Sequence, residues 1–328
     1  MIGGALEAWL QRRWYGNEPP ELALRALAGI YRVGKAAMES GTVAQRVGAP
    51  VIVVGNFTVG GTGKTPLVIA LARYFCLAGY SPAVLTRGFG RRNSNPVRMR
   101  EDTPLSDSGD EPRLLFDHAG VPVFVDSDRV AAAKAAIQAG ARLLLCDDGL
   151  QHRRLARDIE VEVVDGARGY GNGLLLPAGP LREPPRLCDI RVINGAPDVG
   201  AVRDGDWTME LPPGNVRGLG AGQGERSLEA FRGNRVHAVA AVGNPGRFFA
   251  MLQQHGLEVQ PHPFPDHHAF SAGDLSGLEG TILMTSKDAV KCRALGLADA
   301  WEVPVEANLP PAFYDALMRR LEKIDERP

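Results

Sequence analysis

Lys64 and Thr65 close the stretch Val51 to Pro66, VIVVGNFTVGGTGKTP, and together they could handle a phosphate. A lysine ammonium can reach the β- and γ-phosphates of a nucleotide, and a neighbouring threonine hydroxyl can bind Mg2+. Glycines before them let backbone N–H groups turn inward onto phosphate oxygens, and a helix beginning there adds the positive end of its dipole. Thr58, Val59, Gly60, Gly61, Thr62, Gly63, Lys64 and Thr65 are therefore the expected nucleotide cradle, a P-loop. Such loops usually open with glycine where Thr58 stands, and the Gly60-Gly61 pair is expected to supply the lost flexibility. An ordinary glycine turn is the alternative. Both flanks argue against it: a β-branched apolar run precedes the loop, and the apolar-periodic stretch Leu67 to Ala72 follows it.

A second group is acidic. The apolar run Leu143 to Cys146 ends in Asp147-Asp148-Gly149. Carboxylates at the end of a buried strand form the other half of such a site, where they hold or orient Mg2+. Strand ends of a parallel sheet gather at one crevice, so Asp147, Asp148 and Lys64 are expected to meet. A third group could take a proton from a hydroxyl: Asp110 and Glu111 in Gly-Asp-Glu-Pro, and Asp266-His267-His268. Gly-Asp-Glu-Pro also suits a helix start, and Asp-His-His is two thirds of a metal site without a third ligand at useful spacing. The basic loop Arg87-Gly88-Phe89-Gly90-Arg91-Arg92 could approach phosphate or be a solvated turn.

The elements that must position these groups alternate. Strands are expected at 51–54, 83–86, 121–125, 143–146, 159–164 and 190–193, with helices after the phosphate loop and from Arg129 to Ala139. That alternation is the mark of an α/β fold, a parallel sheet flanked by helices. Gly171 to Pro184 is too rich in glycine and proline for a regular element and too apolar for disorder, which suits a functional loop. Residues 211–227 are rich in Gly, Pro and charge, so a boundary is placed near 210. Beyond it, Val236 to Pro245 and Thr281 to Lys291 repeat the strand, turn, helix theme, and Pro311 to Ile324 reads as a closing amphipathic helix. The reading is a helical segment at 1–48 belonging to the first domain, a P-loop domain at 49–210 and a smaller α/β domain at 211–328.

The whole chain agrees. Two domains are the default for 328 residues, and 45% apolar with 23% charged residues is ordinary for a globular protein. A net charge of −1 gives no general attraction to nucleic acid. Four scattered cysteines argue against disulfides and metal, and for a reducing cytoplasm. No apolar run spans a bilayer, and Met1 to Leu10 lacks the features of a signal peptide. Leu22 to Met38 reads as a helix with Arg25, Arg32 and Lys35 on one side and Leu22, Leu27, Ile30, Tyr31, Val33 and Met38 over most of the rest. With Trp9, Trp14 and Tyr15 beside arginines before it, this segment suits either a lipid surface or packing on the main domain.

A GTPase would need a guanine-reading Lys-x-Asp, and Thr285-Ser286-Lys287-Asp288 has the wrong spacing. No motor or transporter signature is present. A small-molecule kinase fits, against two alternatives: an NTPase acting on a soluble substrate, and a non-catalytic nucleotide-binding scaffold. Here the residues carry a resemblance. Val54 to Pro66, with threonine at position 58, resembles the phosphate loop of the tetraacyldisaccharide 4'-kinase family, the lipid A 4'-kinases of Gram-negative bacteria. Arg87 to Arg91, Gly109 to Pro112, Asp147 to His152, the segment ending at Pro184, Gly243 to Phe249, Phe264 to His268 and Lys287 to Lys291 follow in the family's order. Leu150 departs from a common Phe, and Ser286 from a common Glu.

The resemblance implies a peripheral kinase on the cytoplasmic face of the inner membrane. It would use ATP and Mg2+ to phosphorylate the 4'-hydroxyl of an acylated glucosamine disaccharide 1-phosphate in the bilayer, giving lipid IVA. It also turns residues 1–48 toward the lipid surface. By position, Lys64 would bind the β- and γ-phosphates, Thr65 the metal, and Asp147 and Asp148 would organise both. Asp110, supported by His267, would take the hydroxyl proton, while Asp266, Glu111, Arg129 and Arg182 would aid catalysis or hold charge. A monomer is expected, with domain closure on ATP binding to join Asp110 to His267.

Overall fold

The computed structural model describes residues 2–196, 202–220 and 222–325, so Met1, the 197–201 stretch of the first expected domain, Ala221 and the last three residues of the second lie outside it. A large sheet holds β1 (Val51–Gly55), β2 (Pro82–Thr86), β3 (Val97–Arg98), β4 (Val123–Val125), β5 (Leu143–Asp147), β6 (Ile159–Asp165), β7 (Ile190–Asn194) and β8 (Trp207–Met209), and all but the edge strands β3 and β8 come from largely buried apolar runs. Its order is β3-β4-β2-β5-β1-β6-β7-β8. All neighbours pair in parallel except β3 with β4. Continuous burial along β1 and β5, rather than alternation, is what a sheet covered on both faces requires. A second sheet holds β9 (Val216–Gly218), β10 (Glu225–Arg226), β11 (Arg235–Ala240), β12 (Glu258–Pro263), β13 (Ile282–Thr285) and β14 (Ala300–Val303), in the order β10-β9-β14-β13-β11-β12.

The helices are α1 (Ile2–Tyr15), α2 (Leu22–Glu39), α3 (Lys64–Leu77), α4 (Leu105–Ser108), α5 (Asp110–Ala119), α6 (Arg129–Gln138), α7 (Pro245–Gln254), α8 (Ala272–Leu275), α9 (Ser286–Cys292) and α10 (Pro311–Asp325). Buried Leu67, Val68, Leu71, Ala72 and Phe75 of α3 pack on one face of the large sheet, and the alanines of α6 pack on the other. Helix α10, read from the sequence as closing the second unit, instead sends Phe313, Leu317 and Leu321 into the core of the first. The chain thus returns across its own boundary.

Helix α5 is the seam between the sheets. Arg293 lies 2.5 Å from Asp117 of α5, and Glu302 of β14 lies 2.7 Å from His118. Burial works against the charged form of Glu302. The neighbouring His118, then Ser286 and Arg293, outweigh it and hold the carboxyl below its ordinary value of 4.5.

Helix α2 behaves differently. None of its residues is buried. Leu24, Ala28, Tyr31, Lys35 and Glu39, three and four apart, form the one face that docks, while Leu22, Leu27, Ile30, Val33 and Met38 are exposed, Leu22 and Met38 by more than 80%. Among the described residues, no helix is long and apolar enough to cross a membrane.

Candidate active site

The loop between β1 and α3 is built by backbone demands at two glycines. Gly60 has φ +102° and Gly63 φ +93°, conformations that side chains resist. A Cβ on Gly63 would also stand 2.6 Å from Asn194 Nδ2. Helix α3 starts directly after Gly63 with no side-chain cap. Its first-turn N–H groups are therefore available to an anion. Thr58 is not left-handed. It forms an antiparallel bridge with Leu181, and Val59 N–H donates to the Pro180 carbonyl at 2.9 Å. This position is extended backbone, so threonine replaces glycine without strain, and the expected compensation falls to Gly60 alone, since Gly61 keeps an ordinary φ. Thr62 is buried, and its carbonyl accepts from Asn194 Nδ2 at 2.9 Å.

Lys64 Nζ donates to Asn56 Oδ1 at 3.0 Å and lies 3.5 Å from Asp148. Arg182 brackets the same pair, with Nη1 and Nη2 at 2.9 and 2.8 Å from the two Asp148 oxygens and Nη2 on the Asn56 carbonyl at 2.9 Å. Burial would raise the Asp148 carboxyl, but Lys64 and Arg182 hold it far below the carboxylate range. Asp147, at the end of β5, has the opposite fate. It is 2% exposed, its Oδ1 has no hydrogen-bond partner, and burial, with Glu111 and Asp148 adding like charge, pushes it up to about 7. Arg129, buried at the start of α6, donates to the Asp126 and Asp147 carbonyls at 2.6 and 3.3 Å. It braces the acidic strand end from behind.

An unpartnered buried carboxylate oxygen, with Asp148 adjacent, is a donor set suited to a hard divalent cation. A positive charge there would relieve the repulsion that Asp147 and Glu111 now share.

The remaining groups come from both sheets. Asp110 opens α5, and His267 Nδ1 stands 3.3 Å from its Oδ2. Asp148 and His267, at φ +50° and +59°, are the non-glycine residues with left-handed backbone among those described. Such strain costs about 1–3 kcal/mol each, and here it sits at the site. Burial would raise Asp110, yet the His267 hydrogen bond, then Lys287 and Lys291, hold it below its usual value. His267 is raised, first by that same bond. The pair is already formed, so the expected closure is not needed to make it. His268 turns away, to Asp274 at 3.4 Å and the rings of Phe264 and Phe270, so the adjacent histidines do not converge on one ligand. Phe89, 61% exposed in the basic loop, has its ring 5.2 Å from that of His267. Asp266 approaches Lys287 at 3.6 Å, and Glu111 approaches it at 3.3 Å.

A sequence model of tetraacyldisaccharide-1-P 4'-kinases matches residues 21–322. The chain belongs to that family. It is 49% identical to the tetraacyldisaccharide 4'-kinase of Xanthomonas euvesicatoria pv. vesicatoria, the match covering 96% of each chain. It is 48% identical to that of Stenotrophomonas maltophilia, over 95% of this chain and 96% of the other. Its fold is similar to a crystal structure of LpxK from Aquifex aeolicus in complex with ATP, with a TM-score of 0.73, 25% identity, and 90% and 98% of the two chains covered.

In this member of the family the Gly-Pro segment forms a layer between the phosphate loop and the first two helices. Trp14 Nε1 donates to the Pro177 carbonyl at 3.0 Å, and the Tyr31 hydroxyl donates to the Arg182 carbonyl at 2.9 Å. Lys35 of α2 reaches buried Glu183 at 3.6 Å, whose other oxygen accepts from Gln151. Residue types alone assign no role to Asn56, Asn194, Arg247 and Lys287. Arg247 Nη2 holds Asn194 Oδ1 at 3.0 Å, so the second unit reaches the phosphate loop through one amide. Asn56, Arg247 and Lys287 lie within the stretches that carry the family resemblance, and that is the signal that could have found them.

Proposed function

We propose that this chain transfers the γ-phosphate of ATP to the 4'-hydroxyl of a tetraacylated glucosamine disaccharide 1-phosphate, giving lipid IVA. The observation that carries the reading is the Asp110–His267 pair, at 3.3 Å, whose chain neighbours border the phosphate site: Glu111 adds like charge to Asp147, and a Cβ on Gly243 would lie 3.7 Å from both Asp266 Oδ2 and Gly61 N. Asp110 is ionised and takes the 4'-hydroxyl proton. The alkoxide oxygen bonds to the γ-phosphorus as the bond to the bridging oxygen of ADP breaks. Lys64 and the first N–H groups of α3 stabilise charge on the transferring group. Thr65, Asp147 and Asp148 would hold Mg2+, which when bound offsets charge on the β- and γ-phosphates. Asp148 and Arg182 fix where Lys64 stands. The exposed ring of Phe89 offers a flat apolar face to the acceptor sugar beside the base.

The acceptor's acyl chains stay in a bilayer. The apolar arc of α2 lies in the headgroup region of the cytoplasmic face of the inner membrane, without spanning it, and the protein acts there as a monomer. Purified protein with labelled ATP and acylated disaccharide 1-phosphate should give a new 4'-phosphate. Phosphate release to water alone, with no modified disaccharide, would overturn the reading.

A further inference from the structure

We propose that Lys287 is a positioning residue that holds the His267 imidazole in one tautomer, with Nδ1–H toward Asp110. The proposal rests on the function above for its catalytic meaning, not for its geometry. Lys287 is the second residue of α9 in the small unit, yet it is only 17% exposed. Its Nζ has three neighbours, Glu111 Oε1 at 3.3 Å, His267 Nε2 at 3.4 Å and Asp266 Oδ1 at 3.6 Å. An ammonium has three donors and no acceptor. Glu111 and His267 take two of those donors, and Asp266 adds an ion pair at 3.6 Å. The Glu111, Asp266 and Asp110 carboxylates outweigh the burial that would discharge it, so it stays charged.

The consequence for His267 follows from donor and acceptor rules. Facing an ammonium, Nε2 must present its lone pair, so in the neutral ring the proton resides on Nδ1. Nδ1 faces the Asp110 carboxylate, which can only accept while ionised. Lys287 thereby directs the imidazole as a donor to the base. It also occupies the one nitrogen through which His267 could compete for the hydroxyl proton. The backbone agrees: His267 N–H donates to Asp266 Oδ1 at 3.0 Å, tying the loop to the same ammonium. The charged groups facing the ring are Asp110 from α5, Lys287 from α9 and Asp266 from its own loop, with Glu111 and Lys291 one contact further. Removing the ammonium leaves a net acidic surround, so both members of the pair protonate at higher pH.

The test is 15N-histidine NMR on the full chain without substrate, with His267 assigned by its absence from His267→Gln. The wild type should show the Nδ1–H form of neutral His267. Lys287→Met should populate Nε2–H, lower kcat on the order of tenfold or more, leave the KM for ATP within about twofold, and move the acid limb of kcat/KM to higher pH. Lys287→Arg, still a donor-only cation, should keep the Nδ1–H form and recover most of kcat. Nε2–H in the wild type, or an unchanged tautomer in Lys287→Met, overturns the proposal. A purely structural strut would lower Tm and leave the tautomer alone, which also overturns it. Should Lys287→Met not fold, Lys287→Arg decides: Nδ1–H supports the proposal and Nε2–H refutes it. The spectra need no acceptor, so failure of the kinase reading would leave this result standing.

Discussion

The two sheets follow one plan and do different work. Each is built around parallel strands whose turns open helices, β1 into α3 in the large sheet and β11 toward α7 in the small one. In the large unit the turn itself is built to face an anion. Gly60 and Gly63 take left-handed backbone, and α3 begins uncapped behind them. In the small unit the turn from β11 to α7, residues 241–244, holds no left-handed residue, so it does not fold its N–H groups inward in the same way. What the small unit contributes instead is side chains: Asp266, His267 and Lys287, brought to α5. One copy of the plan grips with its backbone and the other with its charges, so the two should respond differently to substitution.

The largest effect expected is at the pair that joins them. Asp110→Asn removes the proposed base and should lower turnover by about 10²–10⁴-fold, measured as the initial rate of disaccharide phosphorylation. Retention of more than a tenth of wild-type turnover would detach the small unit's charges from the chemistry. Lys64→Ala, wholly on the backbone-gripping side, should cost on the order of 10²–10³-fold with the circular dichroism spectrum unchanged. If it lost only nucleotide affinity and kept kcat, the large unit would bind without catalysing.

The seam can be loosened without touching either grip. Glu302→Gln removes the carboxylate that faces His118 and Arg293 and should cost about 1–3 kcal/mol of stability, read from denaturant unfolding. Because the folded Glu302 carboxyl titrates below its ordinary 4.5, its contribution is complete above that pH and disappears as pH falls through the lower, folded value. Wild type and Glu302→Gln should therefore converge in stability under acid. A difference that persists there would assign the effect to packing. The smallest effect on the chemistry should come from Ile30→Asp with Val33→Asp. It should abolish sedimentation with anionic vesicles while leaving turnover in detergent micelles within about twofold. Vesicle binding like that of the wild type would move the lipid contact off α2.

Much of this was legible because it is local. The phosphate loop, the acidic strand end and the helix starts at Asp110 and Arg129 are each written in a few adjacent residues, and the structure places them as adjacency predicts. What was not legible depends on distant partners. Thr58 looks anomalous until Leu181, more than a hundred positions later, pairs with its backbone. Helix α10 has the amphipathic pattern of any closing helix, and nothing in that pattern says which sheet it will cover. Asn56 and Lys287 carry no signal of residue type, since a lone amide or lysine is usually solvated. Their meaning appears only when Arg182 and Lys64, or Glu111 and His267, arrive from elsewhere.

The layer formed by the Gly-Pro segment has a geometric consequence. Trp14 and Tyr31 grip its outer side, while Pro180 and Leu181 pair with the phosphate loop on its inner side. A single thickness of chain thus sets the separation between the exposed arc of α2 and Lys64. With the arc on a bilayer, as proposed above, that thickness would work as a ruler. It would fix the height at which phosphate is delivered and reduce the meeting of enzyme and acceptor to a search in a plane.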